Sequence, residues 1–391
     1  MGIFNKVPEF RFMNKRFIAF ALSALVIAVG VFGFFTKGFN LGIDFTGGTM
    51  IEVAFREPTR VGEVREQLSR VGMAGATIQA VGSEGNKFFI KTLTLVDEAE
   101  MDKKLDALDQ VANSIRRSLM SPDDLAALDA GRIDLNNIAE KALDDFFVSQ
   151  GIPDDDSKEA AAALIELRKD SESGLITDMS ELDALDLKQR VMTQLQEKAF
   201  LGDFTFLSVE NVGAQVGKDL RSKTILATVW VLLGMLVYIG FRFKFIYGLA
   251  AVITLLHDVL VCLAAIIFFQ IEMSLPVVAA VLTIVGYSLN DTIVIFDRVR
   301  DNVKTMRRHG AAEIIDSSIN QTLSRTLVTS LTTLIAVLAL FFLGGEVIHT
   351  FSAVLIVGVI VGTYSSVFQS CAWLVTWERF FLGRKKKITA K

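Results

Sequence analysis

Gly286-Tyr287-Ser288-Leu289-Asn290-Asp291-Thr292 interrupts an otherwise apolar run, Leu275–Phe296, that is long enough to cross a bilayer. A charge at the centre of a membrane helix costs about 2.5–3.5 kcal/mol on insertion scales, so such residues turn toward the bundle interior and mark ion paths. Ion-coupled work inside a membrane is therefore the first reading of this chain. An inert anchor is the alternative.

Five more apolar runs accompany it, Phe17–Phe35, Thr224–Phe241, Phe245–Phe269, Thr326–Leu343 and Phe351–Trp373. Each is near the ~20 residues that span a hydrocarbon core as a helix. The chain thus predicts an α-helical polytopic membrane protein with spans at 17–35, 224–241, 245–269, 275–296, 326–343 and 351–373. The first run follows Lys15 and Arg16 as a signal peptide would, but Thr36-Lys37-Gly38-Phe39 lacks a small-x-small cleavage pattern. It reads as retained.

Basic residues alternate between the connections. They lie in the N-terminal segment 1–16, at Arg242 and Lys244, in the loop 297–325 (Arg298, Arg300, Lys304, Arg307, Arg308) and in the tail 374–391. The short connections around Glu272 and Glu346 carry none. By the positive-inside rule both termini are expected in the cytoplasm, with 36–223 outside a plasma (inner) membrane. Residues 36–221 hold 21 basic and 34 acidic side chains, a balance that argues against nucleic acid as a partner. The two cysteines, Cys262 and Cys371, fall in spans three and six, so no disulfide is expected outside.

The exterior part opens on Leu41-Gly42-Ile43-Asp44-Phe45-Thr46-Gly47-Gly48-Thr49, whose glycines permit a tight turn before the alternating strand Thr49–Phe55. A helix over Arg60–Val71, strands over Gly75–Val81 and Lys87–Leu93, a helix over Leu187–Phe200 and a strand over Phe204–Val212 follow. That order predicts an α+β ferredoxin-like sandwich. Between its halves lies 97–186, with 9 basic and 24 acidic residues. Met101, Leu105, Leu108, Ala112, Ile115 and Leu119 trace one helix face there, Ser121-Pro122 has helix-start chemistry, and Ile138, Ala142, Leu143, Phe146 and Phe147 form another stripe. We read an inserted acidic helical subdomain with its own small core, dispensable for membrane insertion. Asp154-Asp155-Asp156 lacks a spaced ligand loop and reads as a solvated loop rather than a calcium site.

Span three contributes His257 and Asp258, span four Tyr287, Ser288, Asn290 and Asp291, and span five begins at Gln321-Thr322-Leu323-Ser324-Arg325-Thr326. If spans three to five pack together, carboxylates, imidazole and guanidinium converge as a proton relay requires. Asp291 is the candidate titrating group, Arg325 its permanent counter-charge, and Asn290 and Ser288 the groups that order water. The plainer readings are an interfacial anchor for Arg325, mutual satisfaction for His257 and Asp258, and a structural hydrogen bond for Asp291. Asp297-Arg298 and Arg300-Asp301 read as solvated pairs, and Gly234, Gly358 and Gly362 as close helix contacts. No catalytic triad, metal-ligand spacing or phosphate loop marks the exterior part, so neither enzyme activity nor a cofactor is expected.

The Leu41–Thr49 stretch, with Gly42, Asp44, Phe45, Gly47 and Gly48, resembles the signature that follows the first span in the SecD/SecF family of translocase subunits. Gly286–Val294 with Asp297-Arg298 looks like the fourth-span signature of the SecF branch, and His257-Asp258, Gln321–Thr326 and Gly344-Gly345 fit it. SecD-like members carry the fourth-span acid one position earlier, where this chain has Asn290. The resemblance covers roughly 10–96 and 187–382 and leaves 97–186 unmatched. It implies a six-span half of the resistance-nodulation-division type, with Asp291 and Arg325 as the coupling pair. The implied partners are SecD, the SecYEG channel, YajC and YidC, with unfolded preprotein as cargo and the proton gradient as the drive. A small-molecule or lipid exporter on the same bundle and a non-transporting scaffold of the channel are the competing expectations.

Overall fold

The computed structural model describes residues 7–81, 85–92, 101–171, 173–185 and 187–377. The basic cluster Arg384–Lys387, the hairpin tip Gly82-Ser83-Glu84 and the expected insert ends at Asp97 and Asp186 lie outside the described residues. In chain order the elements are α1 (Arg16–Lys37), α2 (Ile43–Thr46), β1 (Gly48–Phe55), α3 (Val61–Arg70), β2 (Thr77–Val81), β3 (Lys87–Thr92), α4 (Met101–Leu119) and α5 (Pro122–Asp129). There follow β4 (Ile133–Asp134), α6 (Glu140–Ser149), α7 (Asp154–Asp170), α8 (Gln189–Lys198), β5 (Ala199–Phe200) and β6 (Phe204–Val212). The chain closes with α9 (Ala214–Arg242), α10 (Phe245–Phe268), α11 (Leu275–Thr305), α12 (Ala311–Leu343) and α13 (Glu346–Thr376). Two compact units result: Met1–Phe45 with Asp219–Lys391, and Thr46–Lys218.

Among the described residues of the first unit, six helices are long and apolar enough to cross a membrane. They outrun the apolar stretches that announced them. α11 continues to Thr305 and α12 already begins at Ala311, so the polar connection expected at 297–325 shrinks to residues 306–310. The extensions are helical because Val299 and Asn302 on one side, and Ile314, Ile315, Ser318, Ile319 and Thr322 on the other, repeat at three-to-four spacing and are buried. Arg325 consequently sits well inside α12 rather than at its start. Asp297 pairs with Arg242, half-buried on both sides, instead of standing solvated beside Arg298.

The anticipated convergence of spans three to five is replaced by a different hub. α11 packs against both α10 and α12, but α13 packs against all three. Small residues explain the closeness: a Cβ on Gly358 would lie 2.1 Å from Ile284 Cδ1, and one on Gly362 3.1 Å from Ser288 Cβ. Gly30 plays the same part between α1 and α10, where a Cβ would meet Ala264 Cβ at 2.3 Å. Gly234 does not, since its added Cβ would find no atom within 4 Å.

The second unit holds a four-stranded antiparallel sheet in the order β2-β3-β1-β6. With α3 between β1 and β2, this is the ferredoxin-like arrangement that the strand order predicts. Ile51, Val53, Phe88, Ile90 and Phe204 bury one face of the sheet. The helix identities differ from expectation. Val111, Ile115 and Leu119 of α4 join Val64 and Leu68 of α3 in the sheet core, so the second sandwich helix is α4. Val191 and Leu195 of α8 instead pack with Leu143, Phe147, Ala161, Leu164 and Leu182 in a separate core. The independent subdomain therefore falls between α5 and β6, not over 97–186.

Local chemistry accounts for several ends. Ser121 Oγ accepts the Asp124 N–H at 3.1 Å with Pro122 at the first helical position, which starts α5. Asp154, Asp155 and Asp156 form the first turn of α7, where the helix dipole favours acids; they are not in a loop. Lys158 pairs with Asp154 at 2.6 Å and Lys188 pairs with Asp156. Among the described residues no group of His, Cys, Asp and Glu is placed to hold a metal ion.

Candidate functional site

Two buried carboxylates in the helical unit, Asp258 and Asp291, gather most of the sequence-predicted residues, but not around one centre. The first site is built on Asp258, fully buried on α10. Its Oδ1 faces His257 Nδ1 at 2.8 Å, and its Oδ2 accepts from Ser365 Oγ at 2.7 Å and from Ser288 Oγ. His257 Nε2 faces Ser23 Oγ on α1 at 2.8 Å. Gln369 Nε2 donates to Ser23 Oγ at 2.6 Å and to Ala19 O at 3.2 Å, and Tyr364 OH donates to Ala19 O at 2.9 Å. One proton assignment satisfies the set: His257 Nδ1–H donates to the carboxylate, and Nε2 accepts from the Ser23 hydroxyl.

A buried carboxylate with three donors is stable where a bare one is not, since an unpaired buried charge is strongly disfavoured. His257 and Asp258 do satisfy each other, as the plainer reading has it, but they also tie α1, α10, α11 and α13 together. Ser23, Tyr364, Ser365 and Gln369 were not visible as site residues in the sequence. Hydroxyls are common in membrane helices and bond their own i−4 carbonyls, so serines there carry little signal.

The second site centres on Asp291 of α11, only 3% exposed. Its Oδ2 has no hydrogen-bond partner among the described residues, and neither have Tyr287 OH, one turn earlier on the same face, nor Thr326 Oγ1 on α12. Arg325, the expected counter-charge of Asp291, lies on α12 beside Thr326. No ion pair within 4.0 Å joins them among the described residues. Arg325 and Asn290 are both exposed on this chain. No hydrogen bond links the Asp291 site to the Asp258 network among the described residues, so the expected single constellation is two. Ser288 belongs to Asp258, not to Asp291. Asn290 touches neither network through a described hydrogen bond.

The glycine-rich stretch has a positional task in each unit. Gly42 N donates to Met273 O at 2.8 Å, Met273 N donates to Asn40 O at 2.7 Å, and Asn40 Nδ2 donates to Gln270 O at 3.2 Å. Asp44 Oδ2 then accepts from Leu275 N at 2.9 Å, at the first residue of α11. A Cβ on Gly42 would lie 3.0 Å from the backbone Met273 O and 2.8 Å from Glu272 Oε1, so a larger residue here would crowd the strand-like pairing with Met273 and displace the Glu272 side chain. Ile43 and Phe45 beside it are buried. Gly47 has φ +70° and Gly48 φ +114°, and a Cβ on Gly47 would fall 2.9 Å from Ala214 Cα.

Comparison with known proteins follows the same residues. Residues 191–379 match the family described as protein export membrane protein SecD/SecF, C-terminal, and residues 32–59 match the SecD/SecF GG motif. The chain is 35% identical over 381 residues to a protein translocase subunit SecF of Koribacter versatilis, covering 94% of this chain and 92% of that one. It is 33% identical over 363 residues to a protein translocase subunit SecF of Pseudomonas aeruginosa, covering 93% and 90%. Among solved structures it is similar to SecDF, a translocon-associated membrane protein from Thermus thermophilus, with a TM-score of 0.64 and 30% identity. That match covers 95% of this chain and 39% of the SecDF chain, so this chain spans about two fifths of it.

Proposed function

This chain belongs to the SecD/SecF family of protein-export membrane proteins, and we propose that it is the SecF-type subunit of a Sec translocation complex that converts proton flow into outward pulling of preproteins. Asp291 carries the reading. A carboxylate buried to 3% exposure, with one oxygen unmatched, is a group held ready to exchange a proton rather than one locked in structure. Arg325, permanently charged, biases Asp291 toward its ionised form only as far as it approaches. Proton arrival and helix position are thereby linked. One charge crossing 100 mV supplies ~2.3 kcal/mol, a bias of about fifty-fold on a two-state equilibrium.

The partner in this scheme is a SecD-type half. Arg325 and Asn290 are exposed on helices that read as membrane-spanning. Leaving them in lipid is costly, which favours a second bundle against that face. SecYEG would be the channel served, with YajC and YidC as neighbours. The chain would lie in the inner membrane with both termini cytoplasmic, using no cofactor and performing no bond chemistry of its own.

The test is Asp291→Asn in inverted membrane vesicles. Gradient-dependent export is expected to fall to the level seen without a proton gradient, while a SecD-type protein still co-purifies. Undiminished gradient-dependent export would leave only a scaffold.

A further inference from the structure

The segment 97–186 holds 24 acidic residues and nine basic ones, yet three of the nine, Arg116, Arg117 and Arg132, line a single cavity of about 390 Å³. The cavity lies in the α+β unit, where the end of α4, the end of α5 and β4 meet. Its one acidic lining residue, Asp134, is already satisfied by its own surroundings. Asp134 accepts from Asn136 N at 3.0 Å, Gly202 N at 3.0 Å and Asn137 Nδ2 at 2.7 Å. No arginine forms an ion pair with it among the described residues.

The three guanidinium groups are held in place. Arg116 lies over the Phe206 ring at 5.4 Å and bonds Asn113 Oδ1 at 3.1 Å. Arg132 lies over Phe200 at 6.0 Å and donates to Ala199 O. Arg117 is tied to Asp129 at 2.9 Å. Arg117 and Arg132 are exposed, and each uses a single described hydrogen bond of the five donors that a guanidinium carries. Planar forks fixed in advance suit a carboxylate, which they can grip with paired hydrogen bonds at little ordering cost.

The rest of the lining narrows the ligand. Leu128 and Ile138 give an apolar wall, which fits an aliphatic stem beside the charged group. Arg116 and Arg117 occupy the last turn of α4, whose carbonyl end carries partial negative charge. A single negative charge is better matched there than a phosphate dianion. We propose that this cavity binds a carboxylate of an extended polypeptide, either an acidic side chain or a free C-terminus. The assignment stands apart from proton coupling, because it concerns only the α+β unit.

The experiment uses the full chain in detergent micelles and fluorescence anisotropy with labelled hexapeptides. One has capped ends and a central Glu among Leu and Ala; a second replaces that Glu with Gln; a third keeps the Gln but has a free C-terminus. The Glu peptide or the free-terminus peptide should bind about tenfold or more tightly than the capped Gln peptide, as expected for hydrogen bonds to a charged group. Which of the two does so identifies the source of the carboxylate. Arg117→Gln, at an exposed ion pair whose loss costs the fold little, and Arg132→Gln should each abolish that preference, with thermal midpoints as the folding control. Equal affinity for all three peptides, no binding of any, an unchanged preference in Arg117→Gln, or displacement by inorganic phosphate as readily as by the Glu peptide would each overturn the proposal.

Discussion

Asp44 and Leu275 are joined side chain to backbone: Asp44 Oδ2 accepts the Leu275 N–H at 2.9 Å, 231 residues away in sequence. Leu275 opens α11, and Ser274, in the N-cap position, makes no capping hydrogen bond of its own. The carboxylate of the glycine-rich signature therefore supplies the missing cap for the helix that carries Asp291.

Asp44→Ala should lower the stability of the helical unit by about 1 kcal/mol, the usual loss when a helix cap is deleted. Asp44→Asn keeps an acceptor and should lose less. Thermal unfolding in detergent, with hydrogen exchange at the Leu275 amide as the local reporter, separates the two. Equal exchange in all three proteins would refute the capping role.

Gly358→Ala places a methyl within 2.1 Å of Ile284 Cδ1 and should cost about 1–3 kcal/mol, the range for overpacking. Gly234→Ala meets nothing within 4 Å and should stay within about 0.5 kcal/mol of the parent. The pair is compared by thermal midpoint in one detergent.

Six spans and a ferredoxin-like sheet were legible because long apolar runs and strand order are local signals. The second sandwich helix was not. α4 and α8 carry the same three-to-four apolar spacing, and only tertiary contact shows that Ile115 faces the sheet while Leu195 faces Phe147. Asp291 stood out because a carboxylate at that depth is rare. Gln369 and Ser365 stood out less, lying in a run of Ser and Thr whose hydroxyls mostly bond their own helix. The cap on α11 had no sequence signal at all, since its acceptor comes from before the α+β unit.

The corrected boundary changes what can be removed. Ile133 and Ala199 are paired neighbours in the β4–β5 ladder, so the chain leaves and re-enters the subdomain at nearly one point. Deleting 135–199 and closing the gap with a few glycines should leave the sheet core folded. Deleting 97–186 takes away Val111, Ile115 and Leu119 and should not. Limited proteolysis of the two truncated proteins distinguishes them, and equal protease resistance would contradict the assignment of α4.

Asp134 gives the α+β unit a pH dependence. Burial, outweighing the hydrogen bonds from Asn137, Gly202 and Asn136, holds its carboxyl above the ordinary 3.8. As pH rises past 3.8 the unfolded chain ionises first and binds fewer protons than the folded one, so this residue's contribution to stability falls. The fall ends above the raised folded value. Calorimetry across that window should show the slope in the parent and its loss in Asp134→Asn.

The hydroxyl of Ser23 meets its amide partner, Gln369, only across 346 residues of sequence. A ribosome must finish nearly the entire chain before the first membrane helix can be buckled to the last. Before that closure α1 is held chiefly by α10, where Gly30 meets Ala264. The final closure of this bundle is thus a late event of biogenesis, and a message cut short upstream of Tyr364 would yield a protein whose leading helix never fully docks.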